Sequence, residues 1–83
     1  MFEIVLSKQA AKFIKRSDTV LIKRLVQKLE SLKTEPIGHD AKRIIRKELL
    51  FRVRVGDHRI LYAVKYEQKK ILIEKIDHRE RIY

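Results

Sequence analysis

The segment FRVRVGDHRILY, from Phe51 to Tyr62, alternates apolar and basic residues on both sides of a Gly-Asp pair. Side chains on a strand point to opposite faces in turn, so a period of two with a turn dipeptide at its middle specifies a β-hairpin. With Gly56-Asp57 as a two-residue turn, Val55 faces His58, Arg54 faces Arg59, Val53 faces Ile60 and Phe51 faces Tyr62. One face then carries Phe51, Val53, Val55, Ile60, Tyr62 and Val64, and needs a cover. The other collects Arg52, Arg54 and Arg59, with Leu61 and Ala63 beyond them.

The cover is supplied N-terminally. Phe2 to Leu6 reads as a short strand. Ser7 can cap a first helix, KQAAKFIKR, whose Ala10, Phe13 and Ile14 share a face. Ser17 or Asp18 can cap a second, running to about Lys33, with Ile22, Leu25, Val26, Leu29 and Leu32 as its apolar stripe. Pro36 and Gly38 stop it. After Gly38 the period becomes two, giving strands near Lys42–Ile45, Leu49–Val55, Arg59–Tyr66 and Lys70–Asp77. The expected order is β-α-α-β-β-β-β, an α+β fold with two N-terminal helices packed on one face of a small, largely antiparallel sheet. The register of the last strand stays open, since a loop of two or three residues at Glu67-Gln68-Lys69 reverses which face Ile71 and Leu72 occupy. Eighty-three residues suit a single domain spanning 1–83.

Charge narrows the function. Twenty-one Lys and Arg against eleven Asp and Glu leave +10, and seven basic residues against two acidic ones fall between Lys42 and Arg59. Such a field attracts polyanions, of which RNA and DNA are the commonest. Arg54 opposite Arg59 is a repulsive pair unless an anion bridges them, and a guanidinium binds phosphate oxygens bidentately. With no cysteine, thiolate metal sites and disulfides are excluded. His39, His58 and His78 lack metal-ligand spacing, and there is no Gly-rich phosphate loop, so no metal or cofactor is expected. The opening MFEIVLSKQAAKF lacks a signal peptide's apolar run and no later segment is long enough to span a bilayer, so the expected location is the cytoplasm.

The segment LFRVRVGDHRILYAVKYEQKKILIEKIDHRERIY resembles the second half of toxins of the RelE/ParE superfamily, from prokaryotic toxin–antitoxin systems. The arginine hairpin, an apolar strand and a terminal His-Arg followed by Tyr carry the likeness, and the N-terminal strand and two helices extend it to nearly the whole chain. The resemblance implies a ribosome-dependent endoribonuclease that cleaves messenger RNA in the A site and is held inactive by an acidic, RelB-like antitoxin. It implies that Arg59 and Arg79 act on the scissile phosphate and that Tyr83 stacks on or orients the nucleotide. It also implies RNA-backbone contacts from Arg52 and Arg54. Where many members carry lysines on the middle strand this chain has arginines, and Tyr83 stands nearer to the arginine pair than in some members.

The chemistry can be argued separately. Cleavage by the RNA's own 2′-OH needs a proton removed, charge on the phosphorane relieved and a proton given to the leaving 5′-oxygen. Arginines relieve the charge and carry no proton. The proton carrier is then His78, Tyr83, a substrate group or the ribosome; His78, beside Arg79, can titrate near neutrality. Arg81 lies where it would also meet phosphate. The competing reading is a ParE-like toxin of the same fold that lacks ribonuclease residues and inhibits DNA gyrase through a protein contact. A third is a basic RNA-binding module without catalysis.

Overall fold

A computed structural model describes residues 1–44 and 49–78. The elements run β1 (Glu3–Leu6), α1 (Lys8–Arg16), α2 (Thr19–Thr34), β2 (Lys42–Ile44), β3 (Leu50–Val55), β4 (His58–Lys65) and β5 (Lys70–His78). The order is the one expected. The strands form one sheet, β1-β5-β4-β3-β2, in which β1 lies parallel to β5 and every other pair is antiparallel.

Local chemistry sets the helix limits. The Ser7 side chain accepts a hydrogen bond from the Ala10 amide at the start of α1, and Lys15 and Arg16 sit in its last turn, where the helix dipole favours cations. Asp18, not Ser17, caps α2, accepting from the Leu21 amide at 2.8 Å. Ser17 instead donates to the Phe13 carbonyl. Between described helices the connection is only Ser17-Asp18, so both lie on the same side of the sheet. No helix among the described residues is long and apolar enough to cross a membrane.

The core lies between the helices and the helix-side face of the sheet. Leu25, Leu29 and Leu32 of α2 and Ala10 of α1 meet Phe51, Val53, Val55, Ile60, Tyr62, Val64, Ile71, Ile73 and Ile76. Val26, read from sequence as part of this stripe, is 43% exposed. It lies a hundred degrees round the helix from Leu25, beyond the reach of the sheet.

The hairpin register is the expected one, with Arg54 paired to Arg59 and Val55 to His58 across Gly56-Asp57. Gly56 has φ +59°, and among the described non-glycine residues only Lys69 has a positive φ, which fits the Gly-first pattern of a type II′ turn. The open register of β5 is decided by a four-residue loop, since Lys65 pairs with Lys70, and by a bulge. Leu61 pairs with Lys75 but Tyr62 with Ile73, which leaves Glu74 as the extra residue. The bulge keeps Ile71, Ile73 and Ile76 on one buried face although their spacing changes from two to three.

Beyond β1, the free edge of β5 is satisfied by side chains. Ser7 Oγ donates to the Glu74 carbonyl at 2.8 Å. The Gln9 amide then takes both backbone groups of Ile76, donating to its carbonyl at 2.7 Å and accepting from its N–H at 2.9 Å. In the centre of the sheet, fully buried Tyr62 donates its hydroxyl to the Pro36 carbonyl at 2.7 Å and so ties the α2–β2 connection to the core.

Candidate nucleic-acid interface

The hairpin period that buries Val53 and Ile60 sends Arg52, Arg54 and Arg59 to the side of the sheet away from the helices. Strand pairing adds a fourth cation, because Lys42 on β2 pairs with Arg52. These residues and Asp40, in the connection before β2, line a concavity of about 190 Å³. Drug-sized ligands occupy roughly 300–1,000 Å³. The volume therefore suits a phosphodiester and its immediate surroundings rather than a whole cofactor. On the same face the pairs Leu50–Ala63 and Ala63–Leu72 make an apolar patch, with Leu50 and Ala63 buried, so the cations are confined to the end nearer the turn.

Electrostatics fit an anion. Arg54 and Arg59 stand directly opposite each other, and Asp77 opposes Arg59 from β5. Asp77 is itself held, accepting from the His78 backbone N–H at 2.7 Å and lying 3.7 Å from the Lys75 ammonium. The other carboxylate, Asp40, accepts a hydrogen bond from Lys28 Nζ at 2.7 Å. That bond holds its pKa below the ordinary 3.8, against the opposing effect of burial, so Asp40 stays ionised at neutral pH. It offsets part of the positive charge at the rim and, as a weak base, is poorly suited to take a proton.

The structure separates His78 from these arginines. His78 pairs with His58, and His58 with Val55, so all three point to the helix side. There the His58 ring meets His78 at 5.2 Å and Phe13 of α1 at 5.5 Å between centroids, edge to face. Sequence adjacency to Arg79 suggested a proton carrier for the arginine face; the strand period puts the imidazole on the opposite one. Arg79, Arg81 and Tyr83 lie outside the described residues. Lys42 and Asp40 were missed in the sequence. Lys42 belongs to the basic run already counted there, and its partnership with Arg52 follows only from the β2–β3 register.

A larger groove, about 480 Å³, is lined by Gln9, Lys12, Phe13, Arg16, Ser17 and Leu21 on the two helices. Its two cations, Lys12 and Arg16, stand one turn apart on α1, and none of the hairpin arginines lines it. Size alone does not make it the chemical site.

A model of the family described as "ParE toxin of type II toxin-antitoxin system, parDE" matches residues 4–83. The chain belongs to this RelE/ParE superfamily and is a toxin of a toxin–antitoxin system. A Methanocaldococcus jannaschii protein named "Putative toxin RelE1" is 33% identical over 85 residues, covering 99% of this chain and 94% of the relative. The Pyrococcus horikoshii RelE–RelB crystal structure matches with TM-score 0.82 at 25% identity, over 96% of this chain and 97% of that one. Isolated Escherichia coli RelE matches with TM-score 0.85 at 16% identity, over 98% of this chain and 87% of that one, a likeness of fold. Within the superfamily this is a RelE-like toxin.

Proposed function

We propose that this toxin is a ribosome-dependent endoribonuclease that cleaves messenger RNA in the A site, as one domain acting in the cytoplasm without a metal. The observation that carries the reading is the convergence of Lys42, Arg52, Arg54 and Arg59 on one phosphate-sized concavity. In the reaction the 2′-oxygen attacks phosphorus, the P–O5′ bond breaks, and a 2′,3′-cyclic phosphate and a 5′-hydroxyl result. Arg59 and Arg79 stabilise the phosphorane, where charge builds up in the transition state. Arg52 and Arg54 hold the flanking backbone, and Arg81 adds a phosphate contact. Tyr83 orients the nucleotide. With His78 facing the helices, the proton leaving the 2′-OH goes to Tyr83, a substrate group or a group of the ribosome, and the leaving 5′-oxygen takes its proton from the ribosome or from water. This division of labour is in keeping with a need for the ribosome, because the described residues assigned to the phosphate, Arg52, Arg54 and Arg59, supply charge and carry no proton.

The partner that silences the toxin is an acidic RelB-like antitoxin, in keeping with the RelE–RelB complexes among its structural neighbours. A net charge of +10 favours such a partner.

Induced expression followed by mapping of transcript ends tests the reading. Cuts confined to translated regions are expected, with Arg59→Ala abolishing both cuts and growth arrest. Cleavage of free RNA as fast as ribosome-bound RNA would contradict it. The family model's description names a ParE toxin, which keeps open a second reading, the ParE-like inhibition of DNA gyrase that the resemblance also allows. Loss of supercoiling activity with intact transcripts would establish that one instead, since a protein contact has no use for a phosphate cleft.

A further inference from the structure

A second concavity adjoins the first at the tip of the hairpin. It encloses about 370 Å³ between α2 and the end of β3, lined by Arg24, Gln27, Lys28, Ser31, Arg54 and Gly56 together with Val55. Every polar side chain in it can donate a hydrogen bond and no carboxylate lines it. Arg54 belongs to both concavities. Its Nε donates to the Gly56 carbonyl at 3.0 Å, which fixes the guanidinium at the rim while its terminal nitrogens can serve other acceptors. Arg24 reaches the same glycine from α2: a Cβ at Gly56 would stand 3.1 Å from Arg24 Nη1. Two guanidiniums from different elements thus meet at one turn.

The surrounding charges leave this pair positive. Lys28 is paired with Asp40, so its charge is largely offset. Asp18 and Asp57 line a separate concavity on the other side of Arg24, which Arg24 also lines, but no ion pair among the described residues engages Arg24. Like charges brought together at a surface invite a counter-ion, and a fork of donors suits a phosphate.

We infer that Arg24 and Arg54 form a second phosphate subsite, which holds a phosphate of the same RNA strand beyond the one bound at Arg59. The inference rests on the RNA reading above and adds a path to it. The strand leaves the sheet face, passes the β3–β4 tip and lies against α2. Continuity through Arg54 favours the same strand over a separate RNA. An acidic protein segment is less suited, because the lining offers almost no apolar anchor of the kind that dominates protein interfaces.

The test uses 2′-O-methyl oligoribonucleotides, which cannot cleave themselves, as a trimer and a nonamer. Affinities are measured against salt for the full-length wild type, Arg24→Ala, Arg24→Lys and Arg59→Ala. For the nonamer, Arg24→Ala is expected to weaken binding about fivefold to tenfold and to lower the log–log salt slope by about 0.7. The trimer should bind Arg24→Ala as it binds wild type, and Arg24→Lys should recover part of the loss. If Arg24→Ala leaves the nonamer unchanged while Arg59→Ala weakens it, the subsite is refuted and the RNA reading survives. Equal weakening of trimer and nonamer would refute it too, by showing that Arg24 acts through the hairpin's shape. So would an effect seen only with intact ribosomes, or only with a poly-glutamate probe. If wild type binds neither oligonucleotide, the subsite is refuted, while the ribosome-dependent reading stands or falls by the mapping of transcript ends.

Discussion

Gly56 answers to two constraints at once. Its φ of +59° lies in the left-handed region, where a side chain costs about 1–2 kcal/mol. A Cβ there would stand 3.1 Å from Arg24 Nη1, so the guanidinium would have to give way by a few tenths of an ångström. Gly56→Ala should therefore lower unfolding free energy by about that amount in urea titrations. It should also push Arg24 outward, which would weaken binding of long RNA more than of short. Tyr62 makes a different kind of prediction. Burial first, then the charges of Asp40 and Tyr66, push its phenol from 10.0 up to about 12. The unfolded chain releases that proton about two pH units earlier, so rising pH favours unfolding between the two values. Stability present in full below about pH 10 should decline toward pH 12. Tyr62→Phe has no such proton and should show a shallower decline in the urea midpoint over that window. At neutral pH the same variant should lose about 1 kcal/mol with the bond to the Pro36 carbonyl.

Among the elements, β5 depends most on its neighbours. β1 covers it only from Lys70 to Ile73, and beyond that point its edge is closed by Ser7 and Gln9 from the start of α1. Gln9 behaves as a two-atom strand, giving Ile76 both bonds that a backbone partner would. Gln9→Ala should cost about 1–3 kcal/mol by leaving a buried donor and acceptor unmatched. The change should appear as faster hydrogen exchange at the Ile76 amide, with α2 amides less affected. Because β5 carries Asp77 to its place opposite Arg59, activity should fall further than the stability loss alone explains. A variant with normal exchange at Ile76 would show that the bracket is dispensable.

At the scale of the whole molecule the sheet divides two tasks. One face holds the helices and nearly all of the core, and the other presents the cations, so stability and binding should separate by mutation. Leu25→Ala removes a fully buried side chain from α2 and should cost about 2–5 kcal/mol while leaving the salt dependence of RNA binding unchanged. Arg59→Ala should do the reverse, changing the salt slope with the circular dichroism spectrum preserved. Coupling of both properties in either variant would show that the two faces are not independent.

The element order, the hairpin register and the arginine face were all legible along the chain, because strand and helix periods are local properties of a few consecutive side chains. Val26 was misplaced because a helix stripe shows which residues are apolar and leaves open how wide a surface covers them. His78 was misplaced for a related reason: adjacency in sequence says nothing of the face a strand residue takes, and pairing with His58 puts His78 on the helix side. Lys42, Asp40 and Arg24 join Arg59 and Arg54 only through the β2–β3 register, the α2–β2 connection and the crossing of α2 over the turn. Those are contacts between segments far apart in the chain. Local alternation thus determined that the sheet has a basic face, whereas the packing of distant elements decided which cations meet around one concavity, since no short-range pattern records which strand lies beside which.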